Sequence, residues 1–216
     1  MSNLNEIKKR LAPWFKQHGL ISGCNKRIWF EDNGFYLTVI EIQPCKGMGF
    51  IINVGVNFLW KEFFGVSYDF AMKDIEVAVP NAPFGAVLFD SEKFEAELEH
   101  VLSETEKRIA LYRELKDISV LDKRLEGRCD AIVFMNKDFL KKDTSRGITR
   151  ALLGDIKTAS EILLNDSSEN RVAKLLYGLL DSDDDFKNAL RQIIANCRVN
   201  FEIAQRIKFK HNDILI

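Results

Sequence analysis

Histidine is nearly missing from this chain: His18, His100 and His211 are its only three, and they lie far apart. No H-E-x-x-H occurs and no second histidine sits at helical spacing, which excludes the common zinc-hydrolase patterns. Four cysteines, Cys24, Cys45, Cys129 and Cys197, form no C-x-x-C pair. Zinc-ribbon and thioredoxin-type chemistry are therefore excluded, and free thiols are expected. Phosphate-cradling glycine patterns are absent, as is the G-x-S-x-G elbow. "GMGF" (47–50) opens a strand, so it offers no helix-dipole anion site. His18 and Cys24 are close enough in sequence to suggest a nucleophile pair. The competing reading is a surface histidine at the negative end of a helix dipole. No cofactor, metal ligand or catalytic residue is nominated, and the expectation leans away from an enzyme.

Net charge is also lacking: 31 basic side chains stand against 32 acidic ones. Polyanion binding runs on a local excess of Lys and Arg, so nucleic acid is not an expected partner. The best basic candidates, Lys8, Lys9, Arg10 and Lys26, otherwise read as solvated side chains, the first three on an amphipathic helix. No apolar run approaches the roughly 20 residues that a membrane helix needs. With a polar segment after Met1 and no export signal, a soluble cytoplasmic protein without a membrane role is expected.

What is present is a core. Hydrophobic residues make up 46% of the 216, enough for one large domain or two small ones. Leu4, Ile7, Leu11, Trp14 and Phe15 fall at helical spacing; Pro13 predicts a kink or restart, and Gly19 a stop. Strands follow at "RIWF" (27–30), "FYLTVIEIQ" (35–43) and "GFIINVGVNF" (49–58), with Asn33-Gly34 predicting a hairpin. "DIEVAVP" (74–80) and "GAVLF" (85–89) predict two more. Beyond residue 90 the pattern turns helical and denser in charge. A long helix is predicted over 92–116 with Ser91 as cap, an amphipathic one over 148–164, and another after an Asp166/Glu169 capping box. A last one carries Phe186, Leu190, Ile193, Ile194, Cys197, Phe201 and Ala204. Segment 129–140 fits strand or helix, and helix is preferred. "DSDDDF" (181–186) fails as a calcium loop, because Phe186 and Gln192 stand where glycine and glutamate are needed; it reads as a helix cap.

Two surfaces could carry function. In "GFIINVGVNF" the even residues face a core, while Asn53, Gly55 and Asn57 share the other face with Glu41 and Gln43. Polar groups around a missing side chain can form a groove; the alternatives are a solvated face or a covering helix. The segment 58–70 holds six aromatic residues in thirteen, among them Trp60, Phe63 and Phe64, which suits either a core or a protein interface.

"LAPWFKQHGL" (11–20), "RIWF" and "GFIINVGV" (49–56) together resemble the bacterial domain-of-unknown-function family numbered 4304. Phe50, Asn53, Gly55 and Val56 match its strand motif, while Leu20 stands where phenylalanine is usual and His18 where lysine is common. The resemblance covers about residues 4–90. It implies an α+β fold and a bacterial source, and it transfers no catalytic residues. Families of this kind often include toxin-neutralising immunity proteins.

The expected architecture is α+β: an antiparallel sheet of four or five strands with an N-terminal helix (1–90), then a helical region packed against it (91–216). The expected function is a non-enzymatic protein-binding module, with the immunity type as its candidate form and a protein partner or homo-oligomer. The alternative is a small-molecule binder or enzyme using the polar sheet face. The candidate binding residues are Glu41, Gln43, Asn53, Asn57, Trp60, Phe63 and Phe64.

Overall fold

The computed structural model describes residues 3–61, 69, 76–126, 144–209 and 216. Among them an N-terminal helix, an antiparallel sheet and a helical C-terminal half appear in the order expected for an α+β chain. The chain forms two compact units. One comprises residues 1–57, 65–113 and 202–212; the other comprises 58–64, 114–201 and 213–216.

In the first unit, helix α1 (Asn3–Gln17) buries Ile7, Leu11 and Phe15. It runs unbroken through Pro13, so the expected restart does not occur. Its end is a Schellman closure: Gly19 (φ +83°) donates to the Lys16 carbonyl and Leu20 to the Phe15 carbonyl, each at 3.0 Å. Two otherwise orphaned carbonyls are thereby satisfied.

Five strands pair in the order β1 (Ile21–Ser22), β2 (Ile28–Asp32), β3 (Tyr36–Cys45), β4 (Gly49–Phe58) and β5 (Glu76–Val77). β6 (Val87–Leu88) also pairs with β4. The β2–β3 hairpin turns at Asn33-Gly34 as expected, with Gly34 at φ +93° and Asn33 donating to the Tyr36 carbonyl (2.9 Å). Trp29 lies opposite Ile40 and Glu31 opposite Thr38, which puts all four on one face. Helix α1 covers that face through Phe15 against Trp29, ring centroids 4.9 Å apart. Helix α2 (Phe94–Arg113) joins it there. Arg113 pairs with Glu31 (2.8 Å), and the Tyr36 hydroxyl donates to the Tyr112 carbonyl (2.5 Å). The Tyr112 hydroxyl in turn reaches the Val54 carbonyl (3.3 Å). Burial, above all, pushes the Tyr36 phenol far above its ordinary titration range. The shift marks a hydroxyl sealed in the core.

Along β4 all ten residues are buried. The apolar side was expected. The polar side is buried too, which excludes the solvated sheet face that alternation alone allowed.

The second unit is built from helices α3 (Ile118–Glu126), α4 (Thr144–Leu152), α5 (Ile156–Asp166), α6 (Arg171–Tyr177) and α7 (Asp183–Gln205), the last turn of α7 counting with the first unit. Two sequence expectations need correction here. The amphipathic stretch 148–164 is two helices, not one. Gly154 (φ +80°) closes α4 with the same Schellman bonds, donating to Ala151 while Asp155 donates to Arg150. Asp155 then caps α5 by accepting from Thr158, and hydrogen bonds from that residue hold its carboxyl below the ordinary range. Asp166 is not the cap of the following helix. It is buried at the end of α5, where it accepts from Thr144 and from Asn170 Nδ2 (3.3 Å). Asn170 is the cap, its Oδ1 taking the amides of Val172 (3.0 Å) and Ala173 (3.2 Å). Ser182 caps α7 as the "DSDDDF" reading expected, with Phe186 donating to its carbonyl (2.9 Å). Segment 129–140 lies outside the described residues.

Asn170→Ala removes the acceptor of two α6 amides and a donor to the buried Thr144–Asp166 pair. Loss of a cap costs about 1 kcal/mol, so the urea transition of the second unit should report an unfolding free energy lowered by about that amount or more, seen as an earlier midpoint at unchanged slope.

Candidate functional site

The polar sheet face resolves into internal pairing. Asn53 is buried, and its amide donates to Gln43 Oε1 at 2.6 Å. Its Oδ1 has no hydrogen-bond partner among the described residues. Asn57 is buried as well, Glu41 is half-buried, and Gln43 is exposed near the end of β3. Of the four, the structure joins Asn53 and Gln43 by a direct bond.

The aromatic segment divides differently. Trp60 is fully buried, stacked on Phe58 with centroids 4.9 Å apart and 14° between planes. Its indole N–H donates to Ser145 Oγ at 3.0 Å. A buried tryptophan with its polar atom satisfied is a core residue, so of the two readings of this segment Trp60 takes the core one, and it is not an exposed binding residue. Phe63 and Phe64 lie outside the described residues.

His18 and Cys24 do not pair. The His18 ring stacks on Trp14 (3.9 Å), with Nδ1 at the Trp14 carbonyl (2.8 Å) and Nε2 at Glu106 (3.3 Å). Cys24 Sγ faces Gln205 instead (3.8 Å). Arg10 of the basic quartet is engaged by Glu95 through both terminal guanidinium nitrogens, Nη1 at 2.8 Å, and lies over the Phe94 ring. That hydrogen bonding, first, holds the Glu95 carboxyl below its ordinary range. Among the described residues, no group of three or more His, Cys, Asp or Glu could hold a metal ion. No helix there is long and apolar enough to cross a membrane.

The site that sequence reasoning missed lies at one end of the sheet. β5 and β6 run antiparallel to β4 along consecutive stretches: Ile52 faces Val77, and Phe50 faces Val87. Unbroken pairing would set Phe50 opposite Val79, so the chain inserts eight residues before resuming the ladder. The nine-residue loop that holds this insert, 78–86, is tied across its base and through its turn. Val79 donates to Gly85 (2.8 Å), Ala82 to Val79 (3.2 Å), Gly85 to Ala82 (3.0 Å) and Ala86 to Pro83 (3.1 Å). Ala86 at its foot packs with Cys45, Ile51 and Leu88.

Phe84 stands in this insert, 62% exposed, with left-handed backbone angles (φ 57°, ψ 17°). For a bulky side chain that conformation costs about 1–2 kcal/mol. Beside it runs the β3–β4 turn, where Met48 is 44% exposed and Lys46 also adopts positive φ. The Lys46 ammonium sits 5.6 Å from the Phe84 ring centroid, a cation–π distance. Of the five described non-glycine residues at positive φ, Lys46, Asn81 and Phe84 belong to these two loops. Backbone strain of this kind clusters at binding sites because the surroundings must enforce it. The available sequence signal was an aromatic inside "PNAPFG", where turn residues leave a large side chain no strand or helix to pack against.

No family model, curated protein or solved structure matches the chain.

Core and surface aromatics should separate in a stability measurement. Trp60→Ala should cost about 3–5 kcal/mol, as large-to-small core changes do. Phe84→Asn should change stability by under about 1 kcal/mol, and in the favourable direction, because asparagine tolerates the left-handed backbone better. Paired chemical-denaturation curves check both.

Proposed function

We propose that this chain is a non-enzymatic protein-binding module whose contact surface is the loop end carrying Phe84, Met48 and Lys46. The carrying observation is Phe84: an aromatic ring held out to solvent on a left-handed backbone that hydrogen bonds on either side keep in place. Burying such a ring against a partner is worth about 1.5–3 kcal/mol. Aromatic residues and methionine are also the types enriched at interface centres. Rigid presentation adds to this, because a loop already ordered loses little entropy on binding.

The resemblance of residues 4–90 to family 4304 supports a bacterial source, and cytoplasmic action goes with that reading. Through the immunity proteins common among such families, it also supports a toxin as the kind of partner. The lysine contributes one positive charge to a patch with no acidic residue in either loop, residues 45–48 and 78–86.

Affinity purification from the native cells tests the proposal, run in parallel with wild type, Phe84→Asn and the double variant Phe84→Asn/Met48→Ser. A partner retained by wild type and lost from both variants, with circular dichroism unchanged, is the expected result. A partner held equally by all three excludes this surface.

A further inference from the structure

Two left-handed side chains lie outside the Phe84 loops: Lys26 (φ 55°) and Arg206 (φ 54°). Arg206 ends α7. It donates to the Ile203 carbonyl (3.3 Å), and Ile207 donates to the Glu202 carbonyl (3.1 Å), the same Schellman bonds that close α1 and α4. Those two ends hold Gly19 and Gly154 at the left-handed position, where glycine is the unstrained choice. Here an arginine stands in that place. Lys26 occupies the turn between β1 and β2. That turn is set by Gly23 donating to the Ile28 carbonyl (2.7 Å) and Lys26 donating to the Gly23 carbonyl (3.1 Å). Asn25 Oδ1 completes it by accepting from the amides of Arg27 (2.9 Å) and Ile28 (3.3 Å).

The two turns meet. A Cβ added to the buried Gly23 would lie 3.1 Å from Gln205 Oε1, and the Cys24 thiol faces the same oxygen at 3.8 Å. Segments 23–27 and 203–208 thus form one corner of the first unit. They carry Lys26, Arg27, Arg206 and Lys208 and no acidic residue. Arg27 is half-buried and the other three are exposed. None of the four forms an ion pair among the described residues. Glu202, next along the chain, has its carboxylate turned to the Phe209 amide (2.7 Å). Four cations without a counter-charge, two of them on backbone that glycine would relax, mark a surface complementary to a negative partner. Ile203, 71% exposed in the last turn of α7, indicates its kind. A phosphate backbone gives an aliphatic side chain nothing to bury against, whereas a protein surface combines apolar sockets with carboxylates.

We propose that this corner docks an acidic protein surface, with Ile203 filling an apolar socket and Lys26, Arg27, Arg206 and Lys208 receiving the carboxylates around it. Ile42 donates to the Arg27 carbonyl (2.8 Å), and β2 starts at Ile28 opposite Glu41. The β1–β2 turn therefore leaves the sheet at the same end as the β3–β4 turn of Lys46 and Met48, two strand spacings or about 10 Å away. One protein partner, whose contact covers about 800 Å², spans both. Assigning the two surfaces to one partner rests on the reading of Phe84 as a contact residue; the acidic chemistry of this corner does not.

Fluorescence anisotropy of a short labelled poly-L-glutamate with the full chain tests the corner. Wild type should bind at low salt and release the probe as salt screens the charges. Lys26→Gly/Arg206→Gly should bind about tenfold more weakly. Its urea midpoint should stay equal or rise, because glycine relaxes both backbones, so unfolding cannot account for the loss. Arg171→Gln/Lys174→Gln, which removes two exposed cations from α6, should bind as wild type does. No binding by wild type, or an equal loss in both double variants, overturns the inference. Polyuridylate held more tightly than polyglutamate through Lys26 and Arg206 overturns it equally. The partner sought with the Phe84 variants separates the two readings. A partner lost from Phe84→Asn yet held equally by wild type and Lys26→Gly/Arg206→Gly overturns this inference alone. One held by Phe84→Asn and lost from the glycine variant removes the Phe84 reading and sustains this one.

Discussion

Every residue of strand β4 is buried, and much of the first unit follows from satisfying it. A buried strand must complete its backbone ladder and find internal partners for every polar side chain. β3 supplies one set of pairs, and the remainder comes from β5 and β6, two short pieces of what would otherwise be a single strand. Asn53 turns to Gln43 on the neighbouring strand, and the Tyr112 hydroxyl comes down from α2 to the Val54 carbonyl. The eight-residue insert is the place where the pairing is interrupted. The exposed Phe84 is thus a by-product of how the edge is completed, held by a base that the sheet itself anchors.

This arrangement explains why a strained aromatic persists at a surface. The insert closes on itself through four backbone hydrogen bonds, and its foot is packed against Cys45 and Ile51. Relaxing Phe84 would break that closure, so the left-handed angles are over-determined by their surroundings. Binding sites benefit from such rigidity, because ordering costs are met on folding rather than on association.

Much of the fold could be read from the sequence, for reasons that vary by element. The alternation of 49–58 and the Asn33-Gly34 turn identified the hairpin and central strands, because period two and a positive-φ turn leave few other options. Strand β1 went unread since two residues carry no period. Gly154 was passed over because the apolar spacing continues across it, although the glycine closes α4. Asp166 resembled a cap by its spacing to Glu169, yet burial beside Thr144 gave it another role. The site was least legible. Composition cannot distinguish Trp60, stacked and hydrogen-bonded in the core, from an exposed interface residue. Burial of Asn53 and Asn57 depends on contacts distant in sequence. Phe84 is exposed through a register shift that strand periodicity does not record, and its one local signal is the turn-rich "PNAPFG" around it.

The tryptophans have an optical consequence. Trp14 and Trp29 belong to the first unit, and Trp60 is the second unit's single indole. Trp29 and Trp60 are buried, whereas Trp14 is half-buried and stacked on His18. A chain of two compact units need not melt as one, and a single midpoint then has no defined meaning. Intrinsic fluorescence, with Trp60 as a lone emitter after replacement of the other two, separates the loss of one unit from the loss of the other without any added label.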